Sequence, residues 1–354
     1  MGLGKRSGRS VLRYLTRLLV SGDLRGVGDL IELLARSRDR VLLGALLQYA
    51  RRNGVAHVLY EALAKRGLES SELAKALATD AELVYRNARY RDELLHLLVD
   101  ALEEGGVDYA VFKTFNRLGI VDVDIDVIVR REAYWDTVRR LISRGFKPVD
   151  DLGKTYATGF VVRGNPIVVD LHTEVTVLGV PYVDSETLLR YRVRYRPSSS
   201  DGTSLYVLDT PVEALVRVAH AVVKEAEIRV DDVSEVLKAT EERPSELVKL
   251  TEEEELGPAL LLFAEKVDRE LCVGIRRLGS FSSGWALRFL RGAATRGGGV
   301  PPYRLPRLAS VAVLLHRVRR RGEVGLLLRI LENLKYRRNA AHIGSLLVRR
   351  LLGL

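Results

Sequence analysis

The fold is decided by one segment, Val121-Asp122-Val123-Asp124-Ile125-Asp126-Val127-Ile128-Val129, which alternates aspartate with β-branched residues and ends in an apolar run. Alternation with a period of two predicts a β-strand with its three aspartates on one face. Because like charges repel along a strand, and because the apolar end indicates burial, the aspartates need a compensating cation. A divalent metal ion is the usual one. The segment therefore predicts a metal-binding strand.

Two of these aspartates form the strongest candidate pair. Asp124 and Asp126 are two residues apart on one strand face, so their backbones lie roughly 6.5 Å apart. Their carboxylates can converge on one Mg²⁺ or straddle two. Asp122 lies farther from the apolar run, near the start of the strand, and we expect it to be peripheral or exposed.

A third acid is expected from a later strand. Asp170 belongs to Ile167-Val168-Val169-Asp170-Leu171-His172, an apolar strand pattern in which an unpaired charge would cost several kcal/mol. Its interpretation as a metal ligand competes with an ion pair to a nearby arginine. His172 lies on the same face, where we expect it to support the site.

The surrounding pattern predicts a compact α+β unit of strand, turn, strand, helix and a strand hairpin. The predicted strands are residues 107–115, 121–129, 156–162 and 167–175. The predicted helix is 131–143, and the hairpin turn is 163–166.

Helical patterns flank this unit. We predict an N-terminal helical domain at 1–104, an α+β core at 105–195, a C-terminal helical domain at 196–299 and a basic helical tail at 300–354. Residues 191–203, rich in Arg, Ser and Gly, are predicted to be a loop or linker. Asp209-Thr210-Pro211 predicts a helix start.

Composition narrows the class of protein. The 354 residues are 47% hydrophobic and 29% charged, which is typical of globular proteins. The single cysteine, Cys272, excludes an internal disulfide framework and multi-cysteine metal sites, and it indicates a reducing compartment. The absence of a long uncharged apolar run predicts no membrane span, so we expect a cytoplasmic protein. The scarcity of Gln, Cys and Met beside abundant Arg, Val and Leu hints at a thermophilic source.

The net charge of +10 is concentrated at one end. Residues 301–354 contain 12 Lys and Arg against 2 Glu, which accounts for the whole excess. This surface, which includes Arg317, Arg319, Arg320 and Arg321, fits a nucleic-acid contact, since phosphate binding is electrostatic first. It fits a solvated helix face equally well.

The motif that joins Lys113-Thr114, a nine-residue spacer and Asp124-Ile125-Asp126-Val127 resembles the polymerase-β-type nucleotidyltransferase signature. The similarity extends over about residues 80–240. The more specific match is to an uncharacterised nucleotidyltransferase branch with a Lys-Gly turn and a later Asp-Leu-His segment, here Asp170-Leu171-His172.

This resemblance implies a small mixed β-sheet core and a two-metal reaction. Asp124 and Asp126 would bind both Mg²⁺ ions (Mn²⁺ is a possible substitute), and Asp170 would bind the catalytic one. Lys113 and Thr114 would contact the nucleoside triphosphate. An acceptor hydroxyl, not identified by the sequence, would attack the α-phosphate and displace pyrophosphate.

The turn departs from the family pattern, because Lys113-Thr114-Phe115 contains no glycine. A β-branched residue cannot adopt the positive φ values of glycine cheaply, so we expect a different loop conformation here. The altered turn favours an alternative function, in which a catalytically degenerate nucleotidyltransferase fold binds RNA or a protein partner through its basic C-terminal helices. The three acids favour the enzyme.

Overall fold

The fold is seen in a computed structural model that describes residues 8–37, 39–149, 157–177, 180–197, 204–275 and 299–321. Five helices occupy the N-terminal part, which confirms the helical prediction for its described residues. Three of them begin at side-chain caps: Asp23, Asp39 and Ser71 each accept a backbone N–H of the first turn. These helices are α1 (Gly8–Val20), α2 (Leu24–Ala35), α3 (Arg40–Arg52), α4 (Ala56–Ala64) and α5 (Glu72–Glu103).

The central unit of the described chain contains nine strands. They are β1 (Tyr109–Phe112), β2 (Asp124–Val129), β3 (Phe146–Val149), β4 (Ala157–Val162), β5 (Val168–His172), β6 (Val175–Val177), β7 (Val180–Val183), β8 (Arg192–Tyr195) and β9 (Leu205–Leu208). Seven of them form a mixed sheet with the order β3-β4-β5-β2-β1-β9-β8, and β6 and β7 form a separate two-stranded ribbon. Helix α6 (Tyr134–Ser143) follows a short 3₁₀ turn, and helix α7 (Ser185–Arg190) follows the ribbon.

A third set of elements completes the described chain. Helix α8 begins at the predicted position, where Asp209 caps it and Pro211 lies in its first turn. It continues into a π-helix. Two short strands that are distant in the sequence, Glu227–Ile228 and Tyr303–Arg304, pair with each other. These elements are α8 (Thr210–Ala219), the π-helix (His220–Glu225), β10 (Glu227–Ile228), α9 (Val230–Glu242), α10 (Pro244–Glu253), α11 (Gly257–Leu271), β11 (Tyr303–Arg304) and α12 (Arg307–Arg321).

The two faces of the sheet have different neighbours. Ile125, Val127 and Val129 of β2 share one buried cluster with α5 and α6. Ile128, which points the other way, belongs to the cluster formed with the helices that follow the sheet. Since side chains alternate along a strand, Asp124 and Asp126 lie on the face of Ile128. The aspartates therefore face the helical body.

Several boundaries differ from the predictions. The aspartate strand begins at Asp124, so Asp122 precedes it. The linker predicted at 191–203 contains β8, which pairs with β9 in the main sheet. Three consecutive residues of that strand, Val193, Arg194 and Tyr195, are exposed, and its partner strand lies beyond the predicted linker, so local composition does not reveal the pairing.

The coarse prediction of an α+β protein with flanking helices is confirmed. Buried residues of α1–α4 share one core with those of α8–α12. None of the helices in the described ranges has the length and apolar character needed to cross a membrane.

Candidate metal centre

The candidate site lies where β2 runs beside β5. The two strands are parallel, and Asp126 lies directly opposite Asp170 in their register. On the other side of β2, Asp126 pairs with Phe112 of antiparallel β1. The parallel register brings together two acids that are 44 positions apart in the sequence.

Asp126, Asp170 and His172 form a cluster that could hold a metal ion. One ligand atom from each side chain lies within 4.8 Å of the others. Both aspartates are buried and His172 is half-buried. His172 Nε2 is 2.8 Å from Asp126 Oδ1, and because an ionised carboxylate only accepts, Nε2 is the donor. His172, expected to be supporting, is thus part of the cluster itself.

Lys113 supplies the positive charge that now faces Asp126. Its Nζ is 2.6 Å from Asp126 Oδ2. Burial opposes ionisation of Asp126, but the Lys113 ammonium and the His172 hydrogen bond hold its pKa well below the ordinary value. Burial also opposes the charge of Lys113, whose pKa Asp126 nevertheless raises. An ammonium group therefore balances the carboxylate that a metal ion would bind.

Asp124 lies near this cluster without belonging to its compact triad. It starts β2, two residues before Asp126, and is half-buried. Burial and the negative charge of Asp126 raise the pKa of Asp124 to about 6, against the opposing charge of Lys113. Ionisation of Asp124 is therefore disfavoured by its surroundings.

The turn after β1 contains a residue in the left-handed backbone conformation that glycine would adopt easily. This residue is Lys113, with a φ of 57°, rather than Thr114. A left-handed conformation costs a non-glycine residue about 1–2 kcal/mol. Helix α8 compensates this cost, because Glu213 Oε1 accepts the Lys113 N–H at 3.0 Å and Arg217 donates to the Lys113 carbonyl at 2.9 Å.

Arg217 is the centre of a buried charge network behind that turn. It is 2% exposed and forms ion pairs with Glu213 at 2.7 Å and with Asp231 at 3.0 Å. It also donates to the carbonyl of Phe115. A buried guanidinium with two carboxylates and two carbonyls fixes the turn to α8 and α9.

Thr114 is directed to a different part of the molecule. Its hydroxyl donates to the carbonyl of Phe112 at 3.2 Å, and it lines a cleft of about 450 Å³ on the other side of the turn, together with Lys238. The structure therefore brings together Lys113, Asp126, Asp170 and His172, with Asp124 beside them, and leaves Thr114 outside this group.

Asp124 and Asp126 line a second cleft, of about 420 Å³, between the sheet and the helices. The sheet side contributes Lys113, Asp124 and Asp126, whereas the helical side contributes His220 and Lys224 of the π-helix. Burial, followed by the positive charges of Lys113 and Lys224, holds the pKa of His220 well below the ordinary value. His220 is therefore neutral at physiological pH.

Two features beside this cleft were not predicted from the sequence, for different reasons. The Glu213–Arg217 pair has the i,i+4 spacing of a helical ion pair, so its signal was present in the sequence. The π-helix shifts the register of His220 and Lys224, and a shift of this kind has no signature in the residue pattern.

No protein-family model matches the chain. Comparison with curated proteins likewise gives no significant match. The function is therefore inferred from the geometry of this centre and from the motif that joins Lys113-Thr114 to Asp124-Ile125-Asp126-Val127.

Proposed function

We propose that the protein is a metal-dependent nucleotidyltransferase that moves a nucleotidyl group from a nucleoside triphosphate to an acceptor hydroxyl. The observation that carries this proposal is the register that sets Asp126 opposite Asp170, with His172 beside them. Of these three residues, Asp126 lines the cleft, together with Asp124. Clustered carboxylates beside an open cleft suit phosphoryl chemistry, in which positioning and charge stabilisation dominate catalysis.

The donor set fits a divalent cation. Asp126 and Asp170 offer oxygen ligands, which Mg²⁺ and Mn²⁺ both accept, and His172 adds an imidazole nitrogen that Mn²⁺ tolerates better than Mg²⁺. Asp124 would add a further carboxylate for a second ion. Bound metal would lower the pKa of the acceptor hydroxyl and neutralise charge on the α-phosphate.

The residues of the chain have separate tasks in this proposal. Asp126, Asp170 and His172 would hold the cation, and His172 donates its hydrogen bond to the Asp126 carboxylate when no cation is bound. Lys113 neutralises Asp126 when no cation is bound. Glu213 and Arg217 hold the turn that carries Lys113, and so act as positioning residues.

The Lys113–Asp126 ion pair supports a second candidate, which is a degenerate nucleotidyltransferase fold that serves as a binding module. A permanent ammonium at the cluster would make a metal ion unnecessary. In that case, RNA or a protein partner would bind through the basic C-terminal residues. Arg319 and Arg320 are exposed, as such a surface requires.

Metal binding and nucleotide turnover test the proposal together. Mn²⁺ titrations followed by electron paramagnetic resonance should show binding to the wild type and loss of binding in Asp126→Asn and Asp170→Asn. Asp136→Asn, on the exposed surface of α6, is the control. Incubation with α-labelled nucleoside triphosphates and cell extract should then label an acceptor only with the metal-binding forms. Absence of Mn²⁺ and Mg²⁺ binding by the wild type would favour the binding module.

A further inference from the structure

The cleft of about 450 Å³ that Thr114 lines, which we call the Thr114 cleft, has no part in the proposed reaction. It lies on the other side of the turn after β1 from the metal centre. Its walls come from that turn, from β1, β8 and β9 of the sheet, and from helices α5, α8 and α9. Its volume is within the range of pockets that hold small molecules.

One side of the Thr114 cleft is a row of three valines across the sheet. Val193 of β8 lies opposite Val207 of β9, and Val207 lies opposite Val111 of β1. Because residues opposite each other in a sheet point to the same face, the three side chains form one apolar strip, and all three line the cleft. Val111 is buried, Val207 is half-buried and Val193 is 41% exposed, so the strip runs from the interior to the surface. A strip of this kind suits a flat apolar ring.

Two aromatic rings also line the Thr114 cleft. Phe115, in the turn, and Tyr195, at the end of β8, have ring centroids 5.0 Å apart. The guanidinium of Arg91 lies 5.4 Å from the centre of the Phe115 ring, and Arg217 donates to the Phe115 carbonyl at 3.3 Å. Neighbours therefore hold Phe115 in place, whereas Tyr195 is 38% exposed. A partly exposed ring at a cleft offers a surface on which another ring can stack.

A buried carboxylate at the Thr114 cleft has one oxygen that accepts no hydrogen bond. Glu235 of α9 is 6% exposed and lines the cleft. Its Oε1 accepts the Arg117 N–H at 2.6 Å, whereas its Oε2 has no hydrogen-bond donor within the described residues. Burial raises the pKa of this carboxyl, and the Arg117 hydrogen bond acts in the opposite direction. A ligand with an N–H group would satisfy Oε2.

We propose that the Thr114 cleft binds a nucleobase that carries an amino group, such as adenine. The ring lies along the valine strip and against Tyr195, and the amino group donates a hydrogen bond to Glu235 Oε2. Stacking on an aromatic side chain, together with hydrogen bonds to the edge of the base, is how proteins recognise unpaired bases. The site is separate from Asp126 and Asp170, so this assignment does not depend on the proposed reaction.

Isothermal titration with adenosine in the absence of metal tests this assignment. Purine riboside, which lacks the 6-amino group, is titrated in parallel. The variants are Tyr195→Ala, Tyr195→Phe and Glu235→Gln. Tyr14→Ala is the control, because Tyr14 is 48% exposed on α1 and lies outside the cleft. Urea unfolding of each variant reports whether the protein is folded.

We expect Tyr195→Ala to weaken adenosine binding by about fivefold or more, because the stacking surface is lost. Tyr195→Phe and Tyr14→Ala should each change the affinity by less than about twofold. The wild type should prefer adenosine to purine riboside by about fivefold, and Glu235→Gln should abolish this preference, because an amide N–H replaces the accepting oxygen.

Three results would overturn the assignment. The first is no adenosine binding by the wild type, the second is equal affinity in Tyr195→Ala and Tyr14→Ala, and the third is an unchanged preference for adenosine in Glu235→Gln. Adenosine binding that is lost in Asp126→Asn but retained in Tyr195→Ala would place the base in the cleft of the metal centre, and would also overturn it. Because no metal is present, failure here leaves the proposed enzyme to be judged by its own Mn²⁺ and labelling experiments.

Discussion

Lys113 Nζ lies 2.6 Å from Asp126 Oδ2, and the Lys113 backbone that directs it there has a positive φ of 57°. The ammonium thus stands where a metal ion at Asp126 would also place positive charge. Removing or adding either cation should change the stability of this centre.

Substitution of Lys113 by Met should make the protein depend on metal for its stability. The buried Asp126 charge loses its nearest cation, which costs about 3–5 kcal/mol when one partner of a buried pair is removed. Bound Mn²⁺ should restore part of this loss. We therefore expect a lower unfolding temperature without metal and a larger rise on addition of Mn²⁺ than in the wild type, measured by calorimetry.

Lys238→Met controls for the loss of a half-buried lysine elsewhere. It should show the same Mn²⁺ response as the wild type. If Lys113→Met also showed only the wild-type response, the ammonium and the metal ion would not share Asp126.

Substitution of Arg217 by Met should destabilise the fold strongly. Glu213 and Asp231 would both lose the buried guanidinium of Arg217, and Asp231 would keep only Arg229, at a cost of about 3–5 kcal/mol. Arg139→Met breaks an exposed ion pair with Asp136 and should cost at most about 1 kcal/mol. Urea unfolding of the two variants measures the difference, and similar midpoints would argue against a buried network.

Arg317 contradicts the prediction that it belongs to the basic surface of residues 301–354. It is 2% exposed and donates to the carbonyls of Tyr182 and Glu254 at 2.8 and 2.7 Å. We expect Arg317→Met to lower the free energy of unfolding by about 3 kcal/mol or more, because Glu254 loses its buried cation. Arg319→Met, on the exposed side of the same helix, should have little effect on urea unfolding.

A truncation that tests nucleic-acid binding should therefore end after Arg321. A truncation after Gly299 would remove the buried residues Tyr303, Val313 and Arg317 together with any binding surface. If the protein that ends at Arg321 retained RNA as the full chain does, residues 322–354 would not be the contact. These residues, with Lys335, Arg337 and Arg338, lie outside the described part of the chain.

The free energy of unfolding should depend on pH because of the Asp232 carboxyl. Burial and the charge of Asp231 raise the pKa of Asp232 from 3.8 to about 7, against Arg217 and Arg229. The folded carboxyl keeps its proton at pH values where the unfolded one has lost it. Its stabilising contribution is thus present below about pH 4 and is lost as the pH rises to about 7.

Asp232→Asn should remove this decline. Urea unfolding at several pH values should show the variant gaining stability relative to the wild type as the pH rises from about 4 to about 7. Asp136→Asn is the exposed control. A constant difference between Asp232→Asn and the wild type across this range would show that Asp232 titrates normally.

The strands that carry the acids could be predicted because their signals are local. Alternation around Asp124 and Asp126, and the hairpin turn before Asp170, required only neighbouring residues. A third acid was expected from the later strand that contains Asp170, and the register of β2 and β5 sets this residue opposite Asp126. The function of these residues stays a prediction.

The rest of the site depends on contacts between distant segments. The positive φ of Lys113 is set by Glu213, which lies 100 residues later, so the residue at this turn does not reveal it. Asp122, expected to be peripheral, forms an ion pair with Arg229 that no pattern around it indicates. Context of this kind overrides local propensity.

The helices at the two ends of the described chain share one core, and the sheet is inserted between them. Arg13 of α1 donates to the carbonyl of Gly299, 286 positions later, and Asn53 donates to the carbonyl of Pro301. During synthesis at about 5–20 residues per second, α1 would wait roughly 15–60 s for these partners to leave the ribosome. The side of α1 that packs on α9 and α11 is uncovered during that time, whereas α2 and α3 are already available to pack on the rest of the helix.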